Sequence, residues 1–300
     1  MERLGPVRSA LFVPGNRPER VDKAVNAGAD AVIIDLEDAV PLSEKEQTRS
    51  LVRQKVIEHK DKRIIVRVNG LDSPFIKGDL EEVLVEGLFF IMVPKVESSA
   101  NIHEINRLVG EIEDREGIDS GAVSIIPLIE SAKAIANIYQ IVSTKTNPDR
   151  LYTVGFGAAD FTLDTGMKMT MGGEELIYPR SKISVACRAG GVLPPLDTPF
   201  MIAIKDMDAL EADARRAKQL GFQGKLCVHP NQVAVCNRIF SPSADEIAYA
   251  QKVIEAFHKA EEDGVAAIQL NGQLIDYPIV EQARRILDLA KVIEAQSLEI

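Results

Sequence analysis

Two carboxylates follow successive apolar runs in the middle of the chain. Glu130 comes directly after SIIPLI (Ser124–Ile129), and Asp160 comes four residues after LYTVGF (151–156). A helix-like segment separates the runs, so we expect a β-α-β unit whose parallel strands bring both carboxylates to one edge of a sheet. Paired carboxylates there suit a hard divalent cation such as Mg²⁺. The structural alternative, a helix cap and a solvated turn, is less favourable for two such residues on successive strands.

Three basic residues near the ends of other apolar runs could also take part in chemistry. Arg67 stands inside IIVRV, where a buried charge needs a partner, and we interpret it as a fork for a carboxylate or a developing oxyanion. Lys95 is a weaker case; it could form a Schiff base, but the carboxylate pair favours a metal-dependent enzyme. The isolated His229 is interpreted first as a structural residue.

An acidic group follows the run AVIIDL. Strand alternation predicts that Asp35 and Glu37 share one face of the strand and that Asp38 turns away. Asp35 and Glu37 could order the waters of a metal or pair with a nearby arginine. An ion-paired rim without a catalytic role is an equally good interpretation of the sequence.

The elements that position these residues are predicted from hydrophobic periodicity. Continuous apolar strands that alternate with helices are typical of a parallel sheet buried on both faces, and eight repeats favour a TIM (β/α)₈ barrel, an α/β fold. Active sites of such barrels lie at the carboxyl ends of the strands, where these charges fall. Prolines crowd the seventh run. The predicted strands are 9–13, 31–36, 64–68, 88–93, 124–129, 151–156, 198–202 and 225–228.

The chain after the eighth strand exceeds a minimal barrel. We predict a catalytic barrel domain over 1–240 and a C-terminal helical extension over 241–300, with helices over about 244–263 and from Pro278. The extension could brace its own barrel or reach an active site, its own or that of a neighbouring subunit. Capping boxes are predicted for Ser43 with Glu46 and for Ser243 with Glu246.

Composition limits the classes of partner. A net charge of −10 argues against a nucleic-acid binder, which would normally be basic. No apolar run approaches the ~20 residues that span a bilayer, and no signal peptide is visible, so we expect no membrane association. The three cysteines lack metal-ligand spacing, which favours a reducing, cytoplasmic location.

Seven motifs in order resemble the citrate lyase β-subunit-like branch of the HpcH/HpaI aldolase family, which includes malyl-CoA and citramalyl-CoA lyases. The resemblance covers about residues 8–290. The motifs are LFVPGNRPER, AVIIDLEDAVP, VRVNGLDSPF, PLIES, GFGAAD, GKLCVHPNQ and NGQLIDYPIVEQAR.

The resemblance implies a Mg²⁺-dependent lyase, with Mn²⁺ as the alternative metal. Glu130 and Asp160 would hold the metal, and Glu130 would also contact substrate. Arg67 would contact the substrate carbonyl or carboxylate, while Asp35 and Glu37 would order the metal waters and the arginine. Residues from two segments would line the mouth where CoA or a carrier-protein arm enters: Phe12, Pro14, Arg17, Lys225, His229 and Pro230.

The resemblance also gives the C-terminal extension a role. Asp276 matches an aspartate that completes the site of an adjacent subunit in related lyases, so it is the candidate acid/base, in a homo-oligomer that the family suggests is a trimer. The expected reaction cleaves a citramalyl-, malyl- or citryl-type thioester into an acyl thioester, such as acetyl-CoA, and a 2-keto acid.

Three alternatives stay open. The chain could be a citrate lyase β subunit that uses citryl on an acyl carrier protein together with other citrate lyase subunits. It could also be a CoA-independent pyruvate-type aldolase or a non-catalytic acyl-CoA-binding subunit. The VHP triplet at the eighth strand tilts the choice mildly toward a free-standing acyl-CoA lyase.

Overall fold

The computed structural model describes residues 5–298 and contains a closed barrel of eight parallel strands. The strands follow one another in chain order, and the first is hydrogen-bonded to the last. The predicted TIM barrel is therefore confirmed. The strands are β1 (Ser9–Pro14), β2 (Ala31–Asp35), β3 (Ile64–Arg67), β4 (Phe90–Val93), β5 (Ser124–Ile129), β6 (Gly155–Phe156), β7 (Leu196–Asp197) and β8 (Gly224–Cys227).

Helices connect these strands and continue beyond β8. Two 3₁₀ turns, Leu42–Glu44 and Glu174–Leu176, precede α2 and α7. The helices are α1 (Pro18–Ala24), α2 (Lys45–Glu58), α3 (Ile76–Val83), α4 (Ser99–Glu116), α5 (Ala132–Val142), α6 (Ala158–Thr165), α7 (Ile177–Gly190), α8 (Met207–Gln219), α9 (Asn231–Phe240), α10 (Ala244–Glu262) and α11 (Tyr277–Leu298).

Apolar side chains on both faces of the strands explain why the barrel forms. All residues of β2 and β4 are buried, as expected for strands packed on helices outside and on one another inside. Helix α5 shows the complementary pattern, with a buried face at helical spacing and a side-chain cap from Ser131 to the Ala134 amide.

The sixth and seventh strands are shorter than predicted. Only the end of the run 151–156 is regular strand, although Leu151 forms an isolated bridge with Ile125. The seventh strand is Leu196–Asp197, so the prediction of 198–202 was wrong. Pro194 and Pro195 lack the amide donors that a longer ladder would need.

One of the two predicted capping boxes is present. Ser243 forms the predicted capping box with Glu246 at α10. The box predicted for Ser43 was wrong, because α2 begins only after the 3₁₀ turn and has no side-chain cap.

The chain forms two compact units. One is Val7–Asn237, which contains the barrel; the other is the chain from Arg238 onward with the described residues before Val7. The second unit has its own apolar core, which includes Val253, Phe257 and Ile275. Within the described range 5–298, no helix combines the length and apolarity that crossing a bilayer requires.

A β-hairpin in the second unit was missed by the sequence analysis. Strands β9 (Ile268–Leu270) and β10 (Gln273–Ile275) pair antiparallel around Asn271 and Gly272, both with positive φ. An Asn-Gly pair between alternating residues is a strong local hairpin signal, so the sequence contained this information.

Candidate active site

Glu130 lies at the carboxyl end of β5 and is almost completely buried. Its Oε1 accepts a hydrogen bond of 2.8 Å from the Lys95 backbone N–H. Burial raises the pKa of Glu130 to about 8, and the negative charges of Glu37 and Asp160 act in the same direction. In the absence of a cation, this carboxyl therefore holds a proton near neutral pH.

Gly157 gives the Glu130 side chain the space it occupies. A Cβ atom at Gly157 would lie 2.7 Å from Oε2 and 2.8 Å from Cβ of Glu130, both too close for normal contact. Since the second contact is to an atom beside the backbone, the neighbour cannot simply rotate away. The glycine after β6 thus shapes a cradle for this carboxylate.

Asp160 lies in the first turn of α6, which begins just beyond β6. Thr198 supports the start of this helix, because its Oγ1 accepts a 3.0 Å hydrogen bond from the Ala158 amide. Asp160 and Glu130 line the same cavity. The predicted pair of carboxylates is therefore brought together at one end of the barrel.

Arg67 is held by two carboxylates beside this pair. In the β2–β3 register it lies opposite Asp35, and the two side chains form a two-pronged ion pair with distances of 2.7 and 2.6 Å. Arg67 Nη1 lies 3.0 Å from Glu37 Oε2. The predicted partnership of Arg67 with Asp35 and Glu37 is present in the structure.

The ion pair with Arg67 does not keep the pKa of Glu37 low. Burial raises the pKa of Glu37 to about 7, against the lowering effect of Arg67. The expectation that Asp38 turns away was wrong, because Asp38 Oδ2 lies 3.6 Å from Arg67 Nη1. Strand alternation ends at Asp35. Its carboxylate accepts hydrogen bonds from the amides of Glu37 and Ala39, and these bonds bend the chain.

A cavity of about 340 Å³ opens in front of these charges, and we call it the mouth cavity. Phe12 forms one wall, with its ring centroid 4.9 Å from the Arg67 guanidinium carbon. Apolar side chains from Leu128, Leu226 and Val228 form another part. The mouth cavity combines an apolar surface, one fixed cation and a pair of carboxylates.

The carboxylates of the mouth cavity fit a divalent cation. Burial raises the pKa of Glu130 and of the neighbouring Glu37, and nearby carboxylates add to the effect of burial at both groups. The cradle at Gly157 holds one of these carboxylates in place. Carboxylate oxygens are the ligands that Mg²⁺ and Mn²⁺ prefer.

Another set of metal-ligating groups in the described chain is already neutralised. Asp22, Glu58 and His59 bring ligand atoms within 4.8 Å of one another. The Lys55 ammonium lies 2.8 Å from Asp22 and 2.7 Å from Glu58, and hydrogen bonding to Lys55 lowers the pKa of both carboxyls. A lysine thus occupies the position that a cation would take.

Lys225 does not line the mouth as predicted. It is fully buried within β8, opposite Ser9 at the beginning of β1, and its ammonium contacts Asp197 and Asp213. Arg180 pairs with both aspartates at 2.9 Å. The correction has a simple reason: strand alternation turns Leu226 and Val228 toward the cavity, whereas Lys225 lies on the other face of β8, where it meets Asp213 of α8.

Of the other predicted mouth residues, Phe12 lines the mouth cavity and the remaining four lie outside its lining. Pro14 ends β1, and Arg17 is exposed just before α1. His229 Nδ1 accepts from the Asn231 amide at the start of α9, which agrees with the structural interpretation preferred for it. Pro230 is exposed beside it. Their role in substrate entry stays a prediction.

Asp276 lies in the second compact unit, immediately before α11. Its Oδ1 is 3.4 Å from the Ile279 amide, and its carbonyl accepts the Val280 amide. In this position Asp276 caps the helix. Its catalytic role stays a prediction.

Two residues of the site were missed or underrated by sequence reasoning. Thr198 was assigned to the start of a strand, whereas it follows β7 and lines the cavity. Lys95 was noted only for its charge, whereas its amide holds Glu130. The misplaced seventh strand explains the first miss; no local signal reveals the second contact.

The fold and site define a (β/α)₈ barrel whose mouth carries a carboxylate pair suited to a divalent cation. Residues 8–230 match the HpcH/HpaI aldolase/citrate lyase family, and the chain belongs to that family. The prediction from the sequence motifs is confirmed.

Three comparisons give the family context. Citrate lyase subunit beta of Leuconostoc mesenteroides subsp. cremoris is 36% identical over 285 residues, covering 94% of this chain and 93% of that protein. The L-malyl-CoA/beta-methylmalyl-CoA lyase of Cereibacter sphaeroides is 35% identical over 312 residues, with 97% and 96% coverage. CitE of Mycobacterium tuberculosis, crystallised with magnesium, acetoacetate and coenzyme A, is 28% identical with a TM-score of 0.78, covering 97% of this chain and 100% of that chain.

Proposed function

We propose that this protein is a Mg²⁺-dependent carbon–carbon lyase that cleaves a β-hydroxyacyl thioester into an acyl thioester and a 2-keto acid. The observation that carries the proposal is the joint presence of Glu130, Asp160 and the braced Arg67 in one cavity. The relatives named citrate lyase subunit beta and malyl-CoA lyase support it, as does the complex of CitE with magnesium and coenzyme A.

Glu130 and Asp160 are the residues that would hold the metal, with Mn²⁺ as an alternative ion. A bound divalent ion would chelate the hydroxyl and carboxylate oxygens of the substrate and polarise the carbonyl of the keto acid. The Lys95 amide orients Glu130 from behind. This contact fixes the carboxylate, as supporting hydrogen bonds commonly do at metal sites.

Arg67 has the properties needed to stabilise the charge that cleavage produces. The bond breaks between the hydroxyl-bearing carbon and the carbon next to the thioester carbonyl, and the hydroxyl gives its proton to water. The electron pair moves onto the thioester as an enolate with a negative oxygen. Arg67 is fixed by Asp35 and Glu37, so little reorganisation is needed for its guanidinium to face that oxygen.

The enolate carbon must then take up a proton. We assign this role to Asp276, supplied by a neighbouring copy in a homo-oligomer, for which the family suggests a trimer. A carboxyl group can act as a general acid if it comes within hydrogen-bond reach of that carbon. Phe12, Pro14, Arg17, His229 and Pro230 stay the proposed residues along the entry path of the thioester arm.

The proposal allows two carriers for the thioester, coenzyme A and an acyl carrier protein. The leading one is free acyl-CoA. The second, citryl on an acyl carrier protein with other citrate lyase subunits, is favoured by the 36% identity to a citrate lyase β subunit. The two nearly equal identities to relatives of both kinds leave both versions in the proposal.

A cleavage screen tests the proposal. Citramalyl-, malyl- and citryl-CoA are each incubated with the protein, with Mg²⁺ or with a chelator, and the released keto acid is measured. We expect Mg²⁺-dependent release from at least one thioester, and loss of release in Asp276→Ala. Asp114→Ala, at an exposed carboxylate on α4, is the matched control.

The alternatives give different results in the same screen. Release only after addition of a citrate lyase carrier protein indicates the β-subunit version. A CoA-independent aldolase would release no keto acid from these thioesters; it would cleave an aldol substrate that carries no CoA, and that turnover would survive Asp276→Ala. Thioester binding that needs no metal, with no cleavage of any substrate, would overturn the proposal in favour of a non-catalytic subunit.

The proposed cellular location is the cytoplasm. Cys187, Cys227 and Cys236 are unpaired and buried, and burial raises the pKa of the Cys187 thiol to about 12. Unpaired thiols are the usual state in a reducing compartment. Cell fractionation followed by immunoblotting tests this assignment.

A further inference from the structure

A second cavity lies beside the mouth cavity and shares Glu130 and Asp160 with it; we call it the side cavity. Its volume is about 630 Å³, larger than the mouth cavity. The loops after β3, β4 and β5 and helix α6 enclose it. A molecule held at the two carboxylates can therefore extend in two directions. The side cavity is lined in part by Leu71, Lys95, Ser98, Ser131, Lys133 and Leu163.

The backbone of Lys95 has an unusual conformation. Its φ angle is +56°, in the left-handed region that residues with a side chain rarely adopt. This conformation accompanies the amide contact to Glu130. Glycine would adopt it without strain, so the backbone contact does not explain why a lysine stands here. The side chain must contribute something that glycine lacks.

The Lys95 side chain lines the side cavity and is about half exposed. Its ammonium lies 3.6 Å from Oε1 of Glu37, whose charge also acts on the shared carboxylate Glu130. One contact of this length leaves N–H groups able to bind a ligand. Lys133 differs, because its ammonium lies 3.0 Å from Glu97 Oε2 and its side chain is 66% exposed.

Two acidic side chains on the wall of the side cavity, Glu97 and Asp164, are engaged elsewhere, whereas the charge of Asp72 acts on Lys95. Glu97 accepts a hydrogen bond from the Ser131 hydroxyl at 2.7 Å as well as pairing with Lys133. Asp164 accepts from the Ala132 amide at 2.7 Å. These contacts direct the charge of Glu97 and Asp164 toward the protein. Of the two lysines in the described lining, Lys95 is the one whose backbone contacts the shared carboxylate Glu130.

We propose that Lys95 is a specificity-determining residue, and that it binds a carboxylate on the third substituent of the hydroxyl-bearing carbon. That carbon carries the thioester arm, a carboxylate and a third group, which is hydrogen, methyl or carboxymethyl in malyl, citramalyl and citryl substrates. With the thioester arm in the mouth cavity beside Arg67, the third group enters the side cavity. The inference rests on the proposed function and names oxaloacetate as the preferred keto acid.

Binding of keto acids tests this without any thioester. Calorimetric titrations at saturating Mg²⁺ compare freshly prepared oxaloacetate with 2-oxobutyrate, of similar length but without the second carboxylate, and with pyruvate. The proteins are wild type, Lys95→Met, Lys95→Gly and Lys133→Met. Lys95→Gly keeps the amide contact to Glu130 without strain, and Lys133→Met removes a charge from the same cavity without touching the shared carboxylates.

We expect wild type to prefer oxaloacetate and both Lys95 variants to lose about 10- to 100-fold in affinity for it, as for a lost charge-assisted hydrogen bond. The Lys95 variants should change the affinity for the other two keto acids by less than about threefold. Lys133→Met should change the affinity for any of the three by less than about threefold. An equal loss for all three keto acids would overturn the proposal. Equal binding of all three keto acids by the wild type would also overturn the proposal for Lys95. The proposed lyase function would still stand in that case. If wild type binds none of them and cleaves no thioester, both proposals are wrong.

Discussion

Two groups of buried charges lie in the same barrel and differ in how they are neutralised. In the first, which we call the base cluster after its two basic residues, Lys225 and Arg180 face Asp197 and Asp213. Arg216 joins at its edge, 3.6 Å from Asp213. In the second, the mouth cluster, the carboxylates outnumber the braced arginine; it consists of Asp35, Glu37, Glu130 and Asp160 with Arg67.

The pKa values of the two clusters move in opposite directions. Burial alone would raise the pKa of Asp213, but Lys225 and Arg180 outweigh it and lower the pKa to about 2. At Glu130, burial and neighbouring carboxylates raise the pKa to about 8. The base cluster is thus complete within the chain. In the mouth cluster, a cation supplied from outside would favour the ionised form of Glu130.

The strongest test of this difference is Glu130→Gln, which keeps the shape of the side chain and removes its charge. We expect lyase turnover to fall by on the order of 10³-fold, because a metal ligand is lost. The metal-free variant should be at least as stable as wild type at pH 8, since a buried charge is no longer required. Initial rates and urea unfolding measure the two effects, and a clear loss of stability would contradict our view of the mouth cluster.

Removing a charge from the base cluster should instead lower the stability of the protein. Lys225→Met leaves two buried aspartates with too little positive charge, and we expect it to cost about 3–5 kcal/mol of unfolding free energy. Urea unfolding measures the loss. Lys168→Met, at an exposed lysine, should change stability by less than about 0.5 kcal/mol.

A double variant separates lost charge balance from lost packing in the base cluster. Adding Asp213→Asn to Lys225→Met should recover part of the stability, because one uncompensated charge disappears. If the double variant is less stable than the sum of the single effects predicts, charge balance does not explain the role of Lys225.

Filling the cradle around Glu130 should lower Mg²⁺ affinity, an effect of intermediate size. In Gly157→Ala the new methyl group would displace the carboxylate, and we expect Mg²⁺ affinity to fall by about 10- to 100-fold. Gly110→Ala is the control, since a Cβ there has its nearest neighbour at 3.9 Å and lies within α4. Calorimetric titration with Mg²⁺ measures both, and equal affinities in the two variants would show that the cradle does not position a ligand.

The smallest expected effect is a pH dependence. Because the folded pKa of Glu130 lies above its ordinary value, the folded protein holds a proton that the unfolded chain has lost between about pH 5 and 8. Metal-free stability should therefore fall as pH rises through this range, and less so in Glu130→Gln. Mg²⁺ binding should release protons near pH 7 and strengthen toward pH 8.

Calorimetry in buffers of different ionisation enthalpy measures the released protons. The base cluster should make stability depend on pH only in acid. The folded pKa of Asp213 is lowered, so its stabilising effect is present above about pH 4 and is lost as pH falls toward 2. Magnesium binding without proton release would show that Glu130 is already ionised in the metal-free protein.

Much of the barrel and of the mouth cluster could be predicted from sequence because the signals are local. Continuous apolar runs identify buried parallel strands, and a charge at the end of such a run falls at the rim whatever the surrounding detail. That reasoning found Glu130, Asp160, Asp35 and Arg67. The Asn271–Gly272 hairpin carried an equally local signal, and was overlooked rather than hidden.

Other features depend on contacts between distant segments. Which partners a buried strand residue meets depends on the pairing of neighbouring strands and on the helices packed against them; Lys225 lies beside Asp197 in the sheet and meets Asp213 of α8. Asp38 reaches Arg67 because the chain bends after Asp35, where alternation stops.

The sequence by itself determined which charges this protein carries at the ends of its strands, because burial forces the strands to be apolar and makes each charge conspicuous. Only the tertiary structure decided which charges neutralise one another. Arg67 is braced by the strand beside it, Lys225 is enclosed with two aspartates, and Glu130 is held by the Lys95 amide from the neighbouring loop. Electrostatic interactions depend on distances of a few ångströms between residues far apart in the chain, and folding sets those distances.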